Sequence, residues 1–95
     1  MRFGYAVEQV FVRPRGGGLE LFVVLVALSG AIKHETLRFL TTNAREAVTR
    51  AARQLAARGD IESAEGVRLR VEVRGALRDD AALRRLFVQT FESSQ

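Results

Sequence analysis

The chain has 95 residues, of which 47% are hydrophobic and 27% are charged, and this length leaves room for one small domain over residues 1–95. It contains no cysteine and a single histidine, which excludes a disulfide framework, a thiolate metal site and thiol catalysis. Lys and Arg together number 15 against 11 Asp and Glu, so the net charge is +4. All of these cations except Lys33 are arginine.

The first predicted element is a strand over residues 3–13, which are rich in β-branched and aromatic side chains. Pro14 and three consecutive glycines follow and predict a basic, flexible hairpin loop over residues 14–18. Because a strand rather than a helix comes after the glycines, they match neither a dinucleotide-binding turn nor a phosphate-binding P-loop.

A second strand is predicted over residues 19–28, where apolar side chains follow one another without alternation. This pattern indicates a central strand that is covered on both faces. Its apolar core, residues 21–28, is far shorter than the roughly 20 residues that a membrane-spanning helix needs. We therefore expect a cytoplasmic protein that makes no use of a membrane or a signal segment.

After a turn at Ser29-Gly30, a third strand is predicted over residues 31–41. Its side chains alternate between two faces. One face carries Leu37 and Phe39, and the other carries His34, Thr36 and Arg38.

The apolar period changes from two to 3.6 residues after Asn43, which predicts a helix that Asn43 and Glu46 begin as a capping box. Gly59 is predicted to end this helix in the left-handed conformation. An acidic connector over residues 60–66 follows, and its carboxylates lack the order of a calcium loop.

A fourth strand is predicted over residues 67–74, where valine and leucine alternate with charged side chains. Asp79 or Asp80 then caps a last helix. The apolar stripe of this helix consists of Leu83, Leu86, Phe87 and Phe91.

The order β-β-β-α-β-α predicts an α+β fold, a two-layer sandwich in which helices cover a mainly antiparallel four-stranded sheet. If both helices lie on one face, one row of the second strand faces away from them. That row is either Leu21, Val23, Leu25 and Ala27, or Phe22, Val24, Val26 and Leu28. A monomer rarely leaves such a row bare, so we expect the last helix, a second copy in a homodimer, or another protein to cover it.

Catalytic chemistry finds little support in the sequence. His34 and Glu35 are adjacent on a strand, so their side chains point to opposite faces and cannot form an acid–base pair. The serines have no second histidine or nearby lysine to activate them. We expect no enzyme activity, no cofactor, no metal site and no small-molecule substrate.

Three groups of arginines favour nucleic-acid binding as an alternative: the hairpin arginines, those of the fourth strand, and those of the first helix. The first helix and the fourth strand present theirs in opposite directions, with an acidic connector between them, which argues against a single phosphate-binding footprint.

The sequence therefore predicts a non-enzymatic protein-interaction module, an inhibitor or an accessory subunit of a larger assembly, of the kind that phages and plasmids encode. It would dock onto another protein, or first associate with itself as a homodimer, through the exposed sheet face and the basic hairpin. Arginine and phenylalanine there offer contact area and directional hydrogen bonds. The alternative is a DNA- or RNA-binding module that uses the same arginines. The residues predicted to contact the partner are Arg13, Arg15, Phe22, His34, Arg38, Arg68, Arg70 and Arg74.

Overall fold

Six strands and two helices make up the computed structural model, which describes residues 4–95. The predicted start of the first strand at residue 3 lies outside this range. The strands are β1 (Tyr5–Arg15), β2 (Gly18–Ala27), β3 (Ile32–Phe39), β4 (Ile61–Ser63), β5 (Arg68–Val73) and β6 (Ala76–Asp79). The helices are α1 (Ala44–Ala56) and α2 (Ala81–Ser93).

The strands form one mixed sheet in the order β3-β2-β1-β5-β6, with β4 also paired to β1. The predicted α+β class is confirmed, but the mainly antiparallel four-stranded sheet and the order β-β-β-α-β-α are wrong in detail. β1 pairs antiparallel with β2 and parallel with both β4 and β5. A parallel pair needs a long crossover between its strands, and the chain between β1 and β5, which contains β2, β3, α1 and β4, supplies it.

Two tight turns differ from what the sequence predicts, one between β1 and β2 and one between β5 and β6. β1 continues through Pro14, and Gly16 and Gly17 alone make the turn, both with positive φ. The predicted flexible loop over 14–18 is therefore wrong, since a two-residue turn of this kind matches the twist of its strands. Arg74 (φ 53°) and Gly75 (φ 80°) form a second such turn between β5 and β6, so the predicted strand over 67–74 ends one residue early.

Helix α1 begins at the predicted cap. The Asn43 side chain accepts a hydrogen bond from the Glu46 backbone N–H at 3.1 Å, while the Glu46 carboxylate accepts one from the Thr41 hydroxyl. The helix ends at Ala56 with Ala57 as a right-handed C-cap, so the predicted stop at Gly59 is wrong. Helix α2 begins at Asp80, whose side chain accepts from the Leu83 N–H at 3.0 Å.

Both helices pack against each other and against the same side of the sheet. The core between them takes alternate residues from β1 and β2, the alanine-rich side of α1, and Leu83, Phe87 and Phe91 of α2. The α2 helix therefore leaves the other sheet face uncovered within residues 4–95. Neither helix in this range is long and apolar enough to cross a membrane.

Candidate functional site

The sheet face opposite the helices, here called the open face, carries side chains that strand pairing aligns in rows. A β-bulge at Glu8 separates the pairs Val7–Leu25 and Gln9–Val24. Beyond it, Gln9 and Phe11 share the open face with Phe22 and Val24 of β2, so Leu21, Val23 and Leu25 form the buried row. One row crosses five strands in register and consists of Thr36, Phe22, Phe11, Arg70 and Asp79.

Aromatic contacts hold the middle of this row in place. The Phe22 ring lies 6.1 Å from the Phe11 ring and 5.3 Å from the His34 ring, measured between centroids. The Arg70 guanidinium lies 4.6 Å from the Phe11 centroid and donates to the Gln9 side chain, while its buried Nε makes no hydrogen bond. A cation over a ring face is attracted by the negative potential there, so this contact holds the Arg70 guanidinium over the Phe11 ring.

His34 contributes to this face as an aromatic surface. Its neighbour Glu35 lies on the helix side of β3, where its carboxylate accepts a hydrogen bond from Arg58. This arrangement confirms that the two side chains point to opposite faces. Among residues 4–95, no group of three or more histidine, aspartate and glutamate side chains is placed to hold a metal ion.

One end of the open face carries three arginines around a single carboxylate, here called the arginine cluster (Arg13, Arg15, Arg38 and Glu20). Arg13 lies 2.7 Å from Glu20 Oε1, and Arg38 Nε donates to Glu20 Oε2 at 3.1 Å. Arg15 Nε is 3.9 Å from the same Oε2. Glu20 is only 2% exposed, whereas the arginine side chains extend into solvent. The cluster thus has an excess of positive charge, and the buried Glu20 carboxylate holds its arginines in place.

The hydrogen bond from Arg13, opposed by burial and assisted by the hydrogen bond from Arg38, holds the pKa of Glu20 below its ordinary value of 4.5. A carboxyl group whose pKa is lower in the folded state stabilises the fold above its ordinary pKa, and this contribution is lost as the pH falls through the folded value. We expect the urea midpoint of the wild type to fall in this acid range, and Glu20→Gln to reduce that fall and to lower the midpoint at neutral pH.

Glu8→Gln is the matched control for this prediction, because it removes the same charge from the exposed bulge of the same sheet. Its urea midpoint at acid pH should follow the wild type. Identical acid profiles for Glu20→Gln and Glu8→Gln would show that the arginine cluster does not hold the Glu20 carboxylate in its ionised form.

The other end of the open face is apolar. Val26 of β2 pairs with Ile32 of β3, whose side chain is 63% exposed, and Leu28 in the following turn is 94% exposed. Val24 lies between this end and Phe22 and is half-buried. The open face therefore runs from a basic end through an aromatic centre to an apolar end.

The remaining predicted arginines are distributed around the molecule. Arg68 is on the open face but pairs with Asp79, and its hydrogen bond lowers the pKa of that carboxyl. Arg74 lies in the turn after β5, outside the row. The exposed arginines of α1 belong to the helix layer, on the opposite side of the sheet. The structure thus brings Arg13, Arg15, Phe22, His34, Arg38 and Arg70 together and leaves Arg74 apart.

A pocket of about 350 Å³ adjoins the arginine cluster at the end of the sheet and is here called the end pocket. It shares Arg15 and Arg38 with the cluster, and Leu40 on its rim is 93% exposed. Its other lining residues are Gly16, Gly18, Leu19 and Phe39. Basic and apolar groups therefore meet at one place on the surface.

Glu20, Phe11, Gln9 and Leu40 were not among the residues predicted to contact the partner. Glu20 was identifiable in principle, because a two-residue turn at Gly16-Gly17 sets Arg13 opposite Glu20. Comparison with known proteins adds no further assignment: no family model, no curated protein and no solved structure matches the chain.

Proposed function

We propose that the protein is a non-enzymatic protein-interaction module, an inhibitor or an accessory subunit of a larger assembly, that binds its partner through the open face. The observation that carries the proposal is the row of Phe22, Val24 and Val26, which neither helix covers because both pack on the other side of the sheet. Large apolar patches rimmed by polar groups mark interaction sites on small proteins.

The surroundings of this row match the usual anatomy of an interface. Phe22 is held between Phe11 and His34, so its ordering costs little additional entropy on binding. Arginine and aromatic side chains, which are enriched where binding energy concentrates, lie side by side here, as Arg70 and Phe11 do. The rim at the basic end supplies charge for orientation and selectivity.

A second copy of the chain is a poorer match to this face than a different protein. In a symmetric dimer that packs sheet on sheet, a two-fold axis in the interface brings the arginine cluster either onto its own copy or onto the apolar end around Ile32. The first places like charges together, and the second buries arginines against apolar groups. A partner that carries both carboxylates and apolar side chains avoids both penalties.

Nucleic acid is the alternative partner, favoured by the four arginines at positions 13, 15, 38 and 70 beside two phenylalanines on one face. Against it, Glu20 already pairs with the cluster and Asp79 with Arg68, so cations and carboxylates alternate across the sheet. A phosphate backbone is bound best by an unbroken series of cations, and such binding weakens steeply with salt.

The test is quantitative affinity capture from host lysate, treated with nuclease, using the wild type and lysine variants. Val24→Lys places a charge in the middle of the open face. Ile32→Lys places one at its edge, where the residue is 63% exposed and its replacement should cost little stability. We expect each to reduce the captured protein partner by about tenfold or more, because a lysine ammonium would be desolvated in the interface.

Gln54→Lys is the matched control, since it adds the same charge to the exposed side of α1. It should capture the same partner as the wild type. Once that partner is purified, its affinities for the wild type and the variants should follow the same order as the captured amounts. The proposal is wrong if nuclease removes everything that the wild type retains, or if all three variants capture alike.

A further inference from the structure

We infer that the arginine cluster and the end pocket together bind an acidic peptide segment of the partner, in which an Asp or Glu side chain lies within two residues of a large apolar one. This inference rests on the proposed function and specifies the chemistry of the partner.

The arginine cluster can bind a further carboxylate. The Glu20 carboxylate already has partners at both oxygens, whereas the guanidinium groups still have free N–H donors. Both oxygens of Glu20 already accept contacts from Arg13 and Arg38. Within the described residues, Arg38 uses only its Nε for hydrogen bonding and Arg15 makes only the 3.9 Å contact. Guanidinium groups have several further N–H donors in a planar fork that fits a carboxylate. Two uncompensated positive charges therefore remain with free donors.

Glu20 makes this a built site, because it is a positioning residue. Its side chain is almost fully buried and holds Arg13 and Arg38, from the two strands that flank β2, at one point of the surface. Pre-ordered guanidinium groups lose less side-chain entropy when a ligand arrives than free surface arginines do.

The apolar half of the ligand follows from the end pocket. Leu40 is almost fully exposed, and Phe39 and Leu19 line the same pocket next to Arg15 and Arg38. An apolar side chain placed there would bury Leu40 while the neighbouring carboxylate reaches the arginines. The shared lining fixes the two ligand groups at adjacent positions of one peptide.

A nucleic acid fits this site less well than a peptide does. Its phosphates would satisfy the arginines but leave the Leu40 side chain against a charged backbone. The nearest remaining cation on the open face row, Arg70, is held over Phe11 and bonded to Gln9, so no continuous track of free cations leads away from the cluster.

The test is selection from a library of random short peptides displayed on phage, with the immobilised full chain as bait. We expect the wild type to enrich peptides in which Asp or Glu lies within two residues of Leu, Ile, Phe or Met. The enriched peptides, made synthetically, should bind Arg15→Gln/Arg38→Gln about 10- to 100-fold more weakly, because this variant loses charge-assisted hydrogen bonds to the peptide carboxylate. Leu40→Ser should retain the preference for acid and lose the preference for the apolar neighbour.

Arg45→Gln/Arg53→Gln is the matched control, with the same change of charge on the exposed side of α1, and should bind like the wild type. The inference is overturned if enriched peptides lack acidic residues, if they bind both double variants equally, or if an oligothymidylate displaces them with a steep salt dependence. A different outcome is that the enriched peptides are apolar, with binding that is lost in Val24→Lys and kept in Arg15→Gln/Arg38→Gln. That result would overturn this inference and leave the proposed function standing. If no peptide and no lysate protein binds in a way that depends on the open face, both fail.

Discussion

Phe87→Ala is expected to lower the free energy of unfolding by about 4 kcal/mol. The Phe87 side chain has no exposed surface and lies 6.5 Å from the Phe91 ring, in the layer where α2 meets α1 and the sheet. Removing it loses the transfer energy of the ring and leaves a cavity that two rigid helices cannot close. A domain of this length has a total stability of about 5–14 kcal/mol, so this one change removes a large part of it.

Chemical denaturation of Phe87→Ala and of the control Leu77→Ala measures this effect. Leu77 lies on the edge strand β6 with 48% of its surface exposed, so its truncation should change stability by no more than about 0.5 kcal/mol. Equal and small effects of both substitutions would contradict the burial of Phe87 between α2, α1 and the sheet. Under native conditions Phe87→Ala should still bind at the open face, because its cavity lies on the other side of the sheet.

Gly18→Ala is expected to destabilise the fold by about 2–3 kcal/mol. A Cβ atom at Gly18 would lie 2.1 Å from the Phe39 carbonyl oxygen and 3.1 Å from the Leu40 Cα, both backbone atoms. Backbone atoms cannot rotate away as a side chain does, so β2 and β3 would have to separate at this end. The end pocket, which Gly18 and Phe39 both line, would be distorted at the same time.

Gly66→Ala provides the control for this prediction, because nothing lies within 4 Å of the Cβ that it adds. Its free energy of unfolding, measured by urea denaturation, should differ from that of the wild type by no more than about 0.5 kcal/mol. A Gly18→Ala protein as stable as the Gly66→Ala protein would contradict the close approach of the two strands. It would also weaken the case for the end pocket as a defined site.

The parts of the fold that depend on neighbouring residues could be predicted from the sequence. The cap at Asn43, the stripe of α2 and the alternation of β3 each follow from local hydrogen bonding or from side-chain period. The end of α1 was misjudged because Gly59 looks like a stop signal, whereas the helix ends three residues earlier at Ala56. The chain leaves α1 through Ala57 in the right-handed conformation, so no glycine with positive φ is needed at this end.

The sheet was harder to predict because two of its strands carry almost no pattern. β4 has three residues, and all four residues of β6 are exposed, so neither shows an apolar alternation. The parallel pairing of β1 with β5 joins positions about 60 residues apart, and no local signal specifies it. Gly75 in the turn after Arg74 was the one clue to the β5–β6 hairpin.

The candidate site divides in the same way. His34 and Arg38 were predicted for one face of the third strand from strand period alone. Period left two registers open for β2, and only its pairing with β1 places Phe22 on the open face. The arginine cluster was not predicted, because a loop over 14–18 leaves the register of β1 and β2 undefined. A two-residue turn at Gly16-Gly17 instead places Arg13 opposite Glu20. The pairing of β2 with β3 then places Arg38 on the other side of Glu20. Turn type determines strand register, and register determines which charges meet.

A methyl NMR titration of the protein with its captured partner shows directly whether binding occurs on the open face of the sheet. We expect the resonances of Val24, Val26 and Ile32 to shift or broaden on binding, while those of Leu86 and Val88 on α2 stay unchanged. Shifts confined to Leu86 and Val88, with Val24, Val26 and Ile32 unaffected, would contradict it.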